Sequence, residues 1–548
     1  MRLPRKVVQK ELGAFYTCEP VVAFLVRWGL ERAPGVVFDP ACGDGRFLDS
    51  AAEFGAQQLV GCDVDPFAVE CTARRLGKFA KPVRLFSTDF FALDPTCGPK
   101  VDLVVGNPPF IRYQRFAGNI RQRALASALK VGVRLTRLTS AWAPFLLHAI
   151  QFLKPGGAMA VVVPAEIVQT QYGIPALRGL CSRFRRVQLL LFERNFFVDA
   201  QTETYLLLAE DYGASSVSVE LHPLCTIDEL GDFASSISTA NVPVDLAISE
   251  PIRFAQVFLT PNERAAWRHT VSRAGILRLA DCGTITNGYV SGANDFFHRT
   301  VSDALKDNIP PDWLLPTVRN ARSLRGIEFT EKDVEVLEAD GRAHHLLSLP
   351  DDDLFNPHPQ QLRQIVSEGK KQQISGRFKC RVRLPWWRVP GIHVPDVFVP
   401  YMIGRCPVAS ANAARATHTN TIHGLHLARG YDAHTVVFSL LCTLSLLSME
   451  LEGRSYGGGV LKLEPSEASR VQLTVPGVSR QLVEEADHLL RSGRYSDAVD
   501  LADEVVLRQA LGLESDTMAL LRNARTRLVD RRFDRTRGKS KRCHYESE

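Results

Sequence analysis

The stretch Asn107-Pro108-Pro109-Phe110 follows an apolar run, Val101-Asp102-Leu103-Val104-Val105-Gly106, that reads as a buried strand. Two consecutive prolines stop a strand and stiffen the turn, because each fixes φ and removes a backbone donor. The turn then holds an amide side chain (Asn107), a free carbonyl (Pro108) and an aromatic ring (Phe110) at the strand's carboxyl end. Open α/β sheets bind their ligands at that end. An amide oxygen and a carbonyl together accept two hydrogen bonds from one amino group, and a ring beside them stacks on a flat base. The chemistry suits an exocyclic amine on a nucleobase. An ordinary proline-rich turn has the same composition.

A second set of residues suits a small ligand. Asp39-Pro40-Ala41-Cys42-Gly43-Asp44-Gly45-Arg46-Phe47-Leu48 follows a short apolar run. Gly43 and Gly45, with Ala41 and Cys42 as small neighbours, let the backbone pass close under a ligand just before a helix opens. The spacing matches neither the GxGxxG nor the GxxxxGK[ST] pattern. Asp39 and Asp44 flank the loop, which would repel phosphates and attract an ammonium group, and this favours S-adenosyl-L-methionine over NAD or ATP. The next run ends Gly61-Cys62-Asp63-Val64-Asp65-Pro66. Asp63, with Val64 beside it, stands where a carboxylate accepts ribose hydroxyls, and Asp65 is placed to cap the next helix. Ser87-Thr88-Asp89-Phe90-Phe91 ends a third run. Asp89 there suits an adenine amino group with Phe90 against the ring, and it suits a helix N-cap equally.

The elements that must position these residues alternate along the first part of the chain. Strands are expected at 36–38, 58–62, 83–86, 103–105 and 158–163, with helices at 46–52, 66–76 and 140–153 between them. A closing pair is expected at 187–192 and 205–209. This rhythm predicts an α/β fold with a doubly wound, mostly parallel sheet. After about residue 215 the rhythm is lost, and short apolar pieces separated by Gly, Pro, Ser and His suggest an α+β region. Helical spacing returns over 481–511, and the Arg/Lys-rich stretch 522–542 reads as a solvated tail or a phosphate contact. The expected domains are 1–212, 213–475 and 476–548.

The 548-residue length calls for several cores. A net charge of +6 permits a polyanionic partner without requiring one. The 12 cysteines contain no CxxC pair, which argues against zinc and disulfide frameworks and predicts no metal. Free thiols, the lack of an apolar leader and a longest apolar run (436–449) too short for a bilayer predict a cytoplasmic protein without membrane contact. That run is expected to form one buried helix.

Taken together, these motifs resemble those of class I S-adenosylmethionine-dependent methyltransferases, and more narrowly the γ-type N6-adenine DNA methyltransferases of the TaqI- and Eco57I-like branch. Gly13-Ala14-Phe15-Tyr16-Thr17 resembles the family's motif ahead of the glycine loop, Asp39 to Leu48 its DPACGxGxFL loop, and Asn107 to Phe110 its [NDS]PP[YFW] motif. Asp63 falls at the position of the ribose-binding acid and Asp89-Phe90 at the adenine-edge motif. Phe145, in Trp142 to Leu147, falls where an aromatic touches the cofactor. Phe197-Val198-Asp199-Ala200-Gln201-Thr202 resembles the segment that supplies a second ring to the target base, with Phe196 as the alternative ring. The order and spacing agree over about residues 10–210. Cys18, where proline is usual, and Trp142, where tyrosine is common, depart from the pattern without removing a reacting group.

The resemblance implies a seven-stranded Rossmann-like sheet with a C-terminal target-recognition region. It implies a site-specific DNA methyltransferase, in a restriction–modification or related defence system, that transfers a methyl group to the N6 amine of a flipped adenine. Asn107, Pro108 and Phe110 are then catalytic. Phe110 and Phe197 sandwich the base. Tyr16, Thr17, Asp39, Ala41, Cys42, Gly43, Gly45, Asp63, Val64, Asp89, Phe90, Asn107 and Phe145 hold the cofactor. The partners implied are double-stranded DNA and a restriction endonuclease on a separate chain. Ser291 to Phe297 and Tyr456 to Pro465 look like segments of target-recognition regions in this branch. Arg319, Arg322, Arg325, Lys370, Lys371, Arg377, Lys379, Arg381 and Arg383, beside Trp386 and Trp387, supply cations and rings for DNA. Three other readings stay open. An NPPF enzyme can act on protein glutamine or RNA, a non-catalytic DNA-binding subunit can keep the fold, and a restriction–modification fusion would add a nuclease, for which no metal-binding carboxylate cluster is evident; Asp351-Asp352-Asp353 reads as a solvated loop.

Overall fold

The computed structural model describes residues 17–537 apart from 97, 112–114, 171, 193–202, 225, 234–241, 246–253, 352–355 and 456–458. The expectations placed on Tyr16, Phe196, Phe197 and the Gly13–Tyr16 part of the N-terminal motif lie outside the described residues. The chain forms two compact units: residues 1–258 with 456–458 and 531–548, and residues 259–455 with 459–530.

The first unit is built on one sheet. Its strands are β1 (Val36–Asp39), β2 (Gln58–Asp63), β3 (Val83–Ser87), β4 (Val101–Gly106), β5 (Leu153–Pro164), β6 (Phe184–Phe192), β7 (Thr204–Tyr212), β8 (Ser218–Leu224) and β9 (Val242–Asp245). They lie in the order β3-β2-β1-β4-β5-β7-β6-β8-β9. The first five in that order are parallel, and β7 runs antiparallel to both β5 and β6. Val37, Leu103, Val105, Ala160 and Leu206 are at most 1% exposed, as strands covered on both faces require. The chain leaves β1 toward β2 on one side and reaches β4 on the other. The crevice between the carboxyl ends of β1 and β4 is therefore the switch point of the sheet.

Among the described residues the expected seven strands, β1 to β7, are extended at one edge by two more: β8 pairs parallel with β6 and β9 pairs antiparallel with β8. The first unit consequently runs to Phe258, past the boundary expected at 212. The segment 476–548 is also not a body of its own, since its residues up to Asp530 cluster with the second unit and those from Arg531 with the first.

The second unit carries small sheets of five, four, three and two strands with helices between them. One of its apolar clusters gathers Tyr289, Phe296, Phe297, Trp313 and Leu346, with Trp386 and Trp387 packed against it. The helical stretch expected at 481–511 breaks at Gly493 into Arg480–Arg491 and Tyr495–Asp503, followed by a wide turn over Glu504–Ala510. A helix over Ser515–Arg537 replaces the expected solvated tail. Its cations answer carboxylates: Arg522 pairs with Asp503 at 2.8 Å and Arg527 with Glu263 at 3.2 Å in the second unit. Within the first unit, Arg531 pairs with Glu203 at 2.9 Å and lies over the Phe258 ring.

The apolar run 436–449 forms two helices rather than one, Ala433–Leu441 and Thr443–Glu452, bent by 75° at Cys442. Among the described residues no single helix is long and apolar enough to cross a membrane. The bend is held by Asp503, fully buried, whose carboxylate accepts from the Thr443 amide at 2.7 Å and the Thr443 hydroxyl at 2.8 Å. A carboxylate at a helix start satisfies its first amide and opposes the positive end of its dipole. Asp503→Ala removes both bonds and the Arg522 pair, and is expected to lower stability by about 2–4 kcal/mol, read from the urea midpoint of the full chain.

Candidate active site

Asp39 ends β1, and its carboxyl is 1% exposed. One oxygen accepts from the Ala41 amide at 3.1 Å; Oδ2 is buried with no hydrogen-bond partner among the described residues. Burial pushes this carboxyl up to about 8, the Ala41 amide opposing and the charges of Asp63 and Asp44 adding to the rise. The neighbouring strand makes room for it. Gly106, the last residue of β4, has φ of +139°, and a Cβ there would lie 2.6 Å from Asp39 Oδ1. No other residue combines that backbone with that approach.

The loop after β1 is tied on both sides. The Cys42 amide donates to the Cys62 carbonyl at 2.9 Å, the Gly43 amide to Asp63 Oδ2 at 2.9 Å, and the Thr72 hydroxyl to the Gly43 carbonyl at 3.0 Å. Gly43 and Gly45 have φ of +54° and +82°, and a Cβ on Gly45 would meet Thr72 at 2.9 Å. Gly45 directly precedes the helix Arg46–Glu53. The Cys42 thiol is buried and pushed up by that burial, so it is an inert filler rather than a nucleophile.

Asp44 does not act as expected. Burial works against its charge, but the hydrogen bonds and charges of Arg46, 2.8 Å away, and Arg75, 3.2 Å away, prevail and hold its carboxyl below the usual range. Its charge is answered within the protein, which leaves Asp39 as the carboxyl available to a cation. Arg46 also donates to the Thr17 carbonyl, fastening the N-terminal segment to the loop.

Asp63, at the end of β2, accepts from the Gly43 and Asp65 amides, both at 2.9 Å. Its carboxyl is raised by burial against those two amides. The Val64 amide adds a third backbone donor, and a carboxylate with about four acceptor sites keeps some capacity beyond these bonds. Val64 beside it is 56% exposed, an apolar side chain that no core accounts for. Asp65 caps the helix Pro66–Leu76 through the Phe67 amide at 3.0 Å. Asp89 caps the short turn Phe90–Ala92 through the Phe91 amide at 3.2 Å, so the capping alternative accounts for one of its oxygens. The Phe90 ring is 5% exposed and packs at 4.6 Å from the Phe145 ring. His148 holds that turn: its Nε2 donates to the Phe90 carbonyl at 3.1 Å, and its Nδ1 accepts from the Ser127 hydroxyl at 2.7 Å. Burial pushes His148 down to about 4, so it stays neutral.

Asn107 follows β4 directly. Its Nδ2 donates to the hydroxyl of Thr17, itself 1% exposed, at 3.3 Å. Asn107, Pro108 and Phe145 line one narrow pocket together with Asp39, Pro40 and Ala41. Phe110 is half-buried and packs against the apolar core of the first unit. The structure thus brings the Asn-Pro turn, the start of the glycine loop at Asp39 to Ala41, and Phe145 to one crevice, whose lining does not include Gly43 or Gly45. A half-buried Glu166, 3.2 Å from the Trp142 indole nitrogen and 2.5 Å from the Tyr172 hydroxyl, braces the helix Trp142–Ala149 that carries Phe145. Sequence reasoning missed Gly106, Thr72, His148 and Glu166, each of which acts on a residue far away in sequence. Among the described residues no group of three or more His, Cys, Asp or Glu is placed to hold a metal ion.

The Asp39 carboxyl titrates near 4 when unfolded and at about 8 when folded. The folded chain therefore binds the extra proton between these values, and stability falls as pH rises through that window. Asp39→Asn is expected to gain stability over the parent across pH 4 to 8 and to level off above it, as measured by thermal unfolding over a pH series without ligand.

Comparison with known proteins gives two family matches. Residues 5–172 match the family described as N-6 DNA Methylase, and residues 252–507 match that described as Type II methyltransferase M.Eco57I, C-terminal domain. The chain is 25% identical to the Type II methyltransferase M.XamI of Xanthomonas campestris pv. amaranthicola, over 84% of this chain and 85% of that one. It is 21% identical to the Type II methyltransferase M.AccI of Acinetobacter calcoaceticus, over 89% of this chain and 90% of that one. Among solved structures, the type IIG restriction endonuclease BpuSI aligns over 98% of this chain and 68% of its own, with 16% identity and a TM-score of 0.46. With the methylase match over the glycine loop and the Asn-Pro turn, and the Eco57I-type match over most of the second unit, the chain belongs to the γ-type N6-adenine DNA methyltransferase family.

Proposed function

We propose that this protein is a site-specific DNA methyltransferase that modifies the N6 amine of an adenine turned out of the duplex. The observation that carries the reading is the single crevice that Asn107 and Pro108 share with Asp39, Ala41 and Phe145. S-adenosyl-L-methionine supplies the methyl group, carried on a sulfonium. The residues present fit it: an orphaned buried carboxyl oxygen on Asp39 answers a cation, Gly43 and Gly45 clear a path for the ligand, Asp63 retains acceptor capacity for ribose hydroxyls, and exposed Val64 offers apolar cover to a flat ring.

The adenine amine is a poor nucleophile because its lone pair is delocalised into the ring. The Asn107 amide oxygen and the Pro108 carbonyl accept its two hydrogens and draw the nitrogen toward sp³, which frees the lone pair for attack. Thr17 holds the Asn107 amide by its nitrogen, so the oxygen is the branch turned to the base. Catalysis is then positioning and electrostatics, without a general base. The target atom is out of reach within a stacked duplex, so the base must leave it, at a cost of a few kcal/mol. Stacking on Phe110, with Phe197 as the opposite ring, returns about 1–3 kcal/mol per stacked base.

Asn107→Ala is expected to lose at least about two orders of magnitude in methyl transfer, a far larger effect than on cofactor affinity. Tritiated-methyl transfer to unmethylated DNA, with RNA and protein as parallel substrates, checks both the mechanism and the substrate class; undiminished transfer by the variant would contradict the mechanism. Cofactor binding should also depend on pH. A cationic ligand favours ionised Asp39, so the logarithm of affinity should rise with pH, with a slope approaching one, until about 8, and then flatten. Titration calorimetry of the parent and of Asp39→Asn, which should lose that slope, reads it.

A further inference from the structure

Within the second unit a cleft of about 920 Å³ opens between the loop that starts at Tyr289 and the segments Arg319–Asn320 and Thr419–Thr421. Its floor is fixed and neutral. The buried Tyr289 hydroxyl lies 2.8 Å from both His298 Nε2 and the Thr317 hydroxyl, and burial, with the charge of Arg319 adding, pushes His298 down to about 4. Its lining carries Arg319, Arg342 and Arg377 against one carboxylate, Asp295. A polar, net-cationic cleft of this size suits a polyanion.

Two of these arginines are held differently. Arg319 is half-buried and fixed. Its carbonyl accepts from the hydroxyls of Thr419 at 3.0 Å and Thr421 at 2.5 Å, and its guanidinium donates through Nη1 to the Ala343 carbonyl at 3.0 Å. It lines the cleft and has no ion pair among the described residues. A pre-oriented arginine fork matches the major-groove edge of guanine. Arg377 is exposed, likewise without an ion pair among the described residues, and opens a rim segment. On that rim Phe378, Val382 and Leu384 are 63%, 66% and 94% exposed, among Lys379 and Arg381. Arg383 fastens the rim to the cleft wall through the carbonyls of Val290 at 2.5 Å and Ser291 at 2.7 Å. An apolar patch alone suits a protein partner; the cations interleaved with it suit a groove, where phosphates flank the bases.

We infer that this cleft and its rim are the surface that reads the DNA duplex, with Arg319 discriminating a base edge and Arg377 holding phosphate. The inference rests on the DNA methyltransferase reading above. It also sorts the cations and rings singled out in the sequence: Arg319 and Arg377 contact DNA, Arg383 holds the rim, and Trp386 and Trp387 belong to the core.

The test uses the full-length chain. Modified-base sequencing of DNA from cells expressing the parent defines the methylated motif, and duplexes altered at each motif position then measure discrimination. Arg319→Ala is expected to slow methylation of the cognate duplex roughly 5- to 150-fold and to flatten discrimination at one position. Arg319→Lys, which keeps the charge without the fork, should show the same flattening and carries the test if the alanine variant does not fold. Arg377→Ala should weaken binding equally on cognate and altered duplexes and reduce the slope of log affinity against log salt by about one. Unchanged discrimination in both Arg319 variants, or an unchanged salt slope in Arg377→Ala, overturns the assignment of the cleft while the function stands. Failure of the parent to methylate any DNA overturns the function and this inference with it.

Discussion

The close approach of β1 and β4 at their carboxyl ends is the constraint on which the site depends. Gly106 turns out of β4 with a backbone that ordinary residues avoid, and the missing side chain leaves the space that Asp39 fills. One residue later comes Asn107. The same backbone event therefore places a buried carboxyl on one side of the crevice and an amide on the other. A sheet with its switch point elsewhere, or with a side chain at 106, would separate the two.

Around that crevice the protein favours fixed partners over mobile ones. The glycine loop is tied by Asp63, Thr72 and the Cys62 carbonyl, Asn107 by Thr17, and Phe145 through the helix that Glu166 braces. Each tie removes freedom before any ligand arrives, which is how positioning lowers a barrier without acid or base chemistry. Asp39 is the exception. It is left in a state that a cation would improve, and the cost of burying it is carried by the fold until then.

The local motifs were legible in the sequence because their chemistry is contiguous. The diproline turn, the glycine loop and the strand-end carboxylates each occupy a few consecutive residues, and the strands β1 to β5 announce themselves as apolar runs between turns. What was not legible depends on distance. Asp44 looks like a free charge until Arg75, from another helix, is beside it. The apolar run 436–449 looks like one helix until a carboxylate 60 residues away caps its second half. The basic stretch after residue 522 looks solvated until its partners at Glu263 and Asp503 are known. The strands β8 and β9 were missed for a different reason: each contains a proline, Pro223 and Pro243, which argues against a strand except near a sheet's edge.

Those two proline-bearing strands have a practical consequence. β6 contains Leu189, Leu190 and Leu191, all fully buried, and β8 is what covers its open side. A catalytic fragment cut at residue 212 would present a long, flat, hydrophobic edge with its amides and carbonyls bare, a template on which copies of the fragment stack into aggregates. Pro243 lies in β9, the outermost strand among the described residues, and has no backbone N–H to offer. A fragment meant for crystallisation or labelling should extend to Phe258.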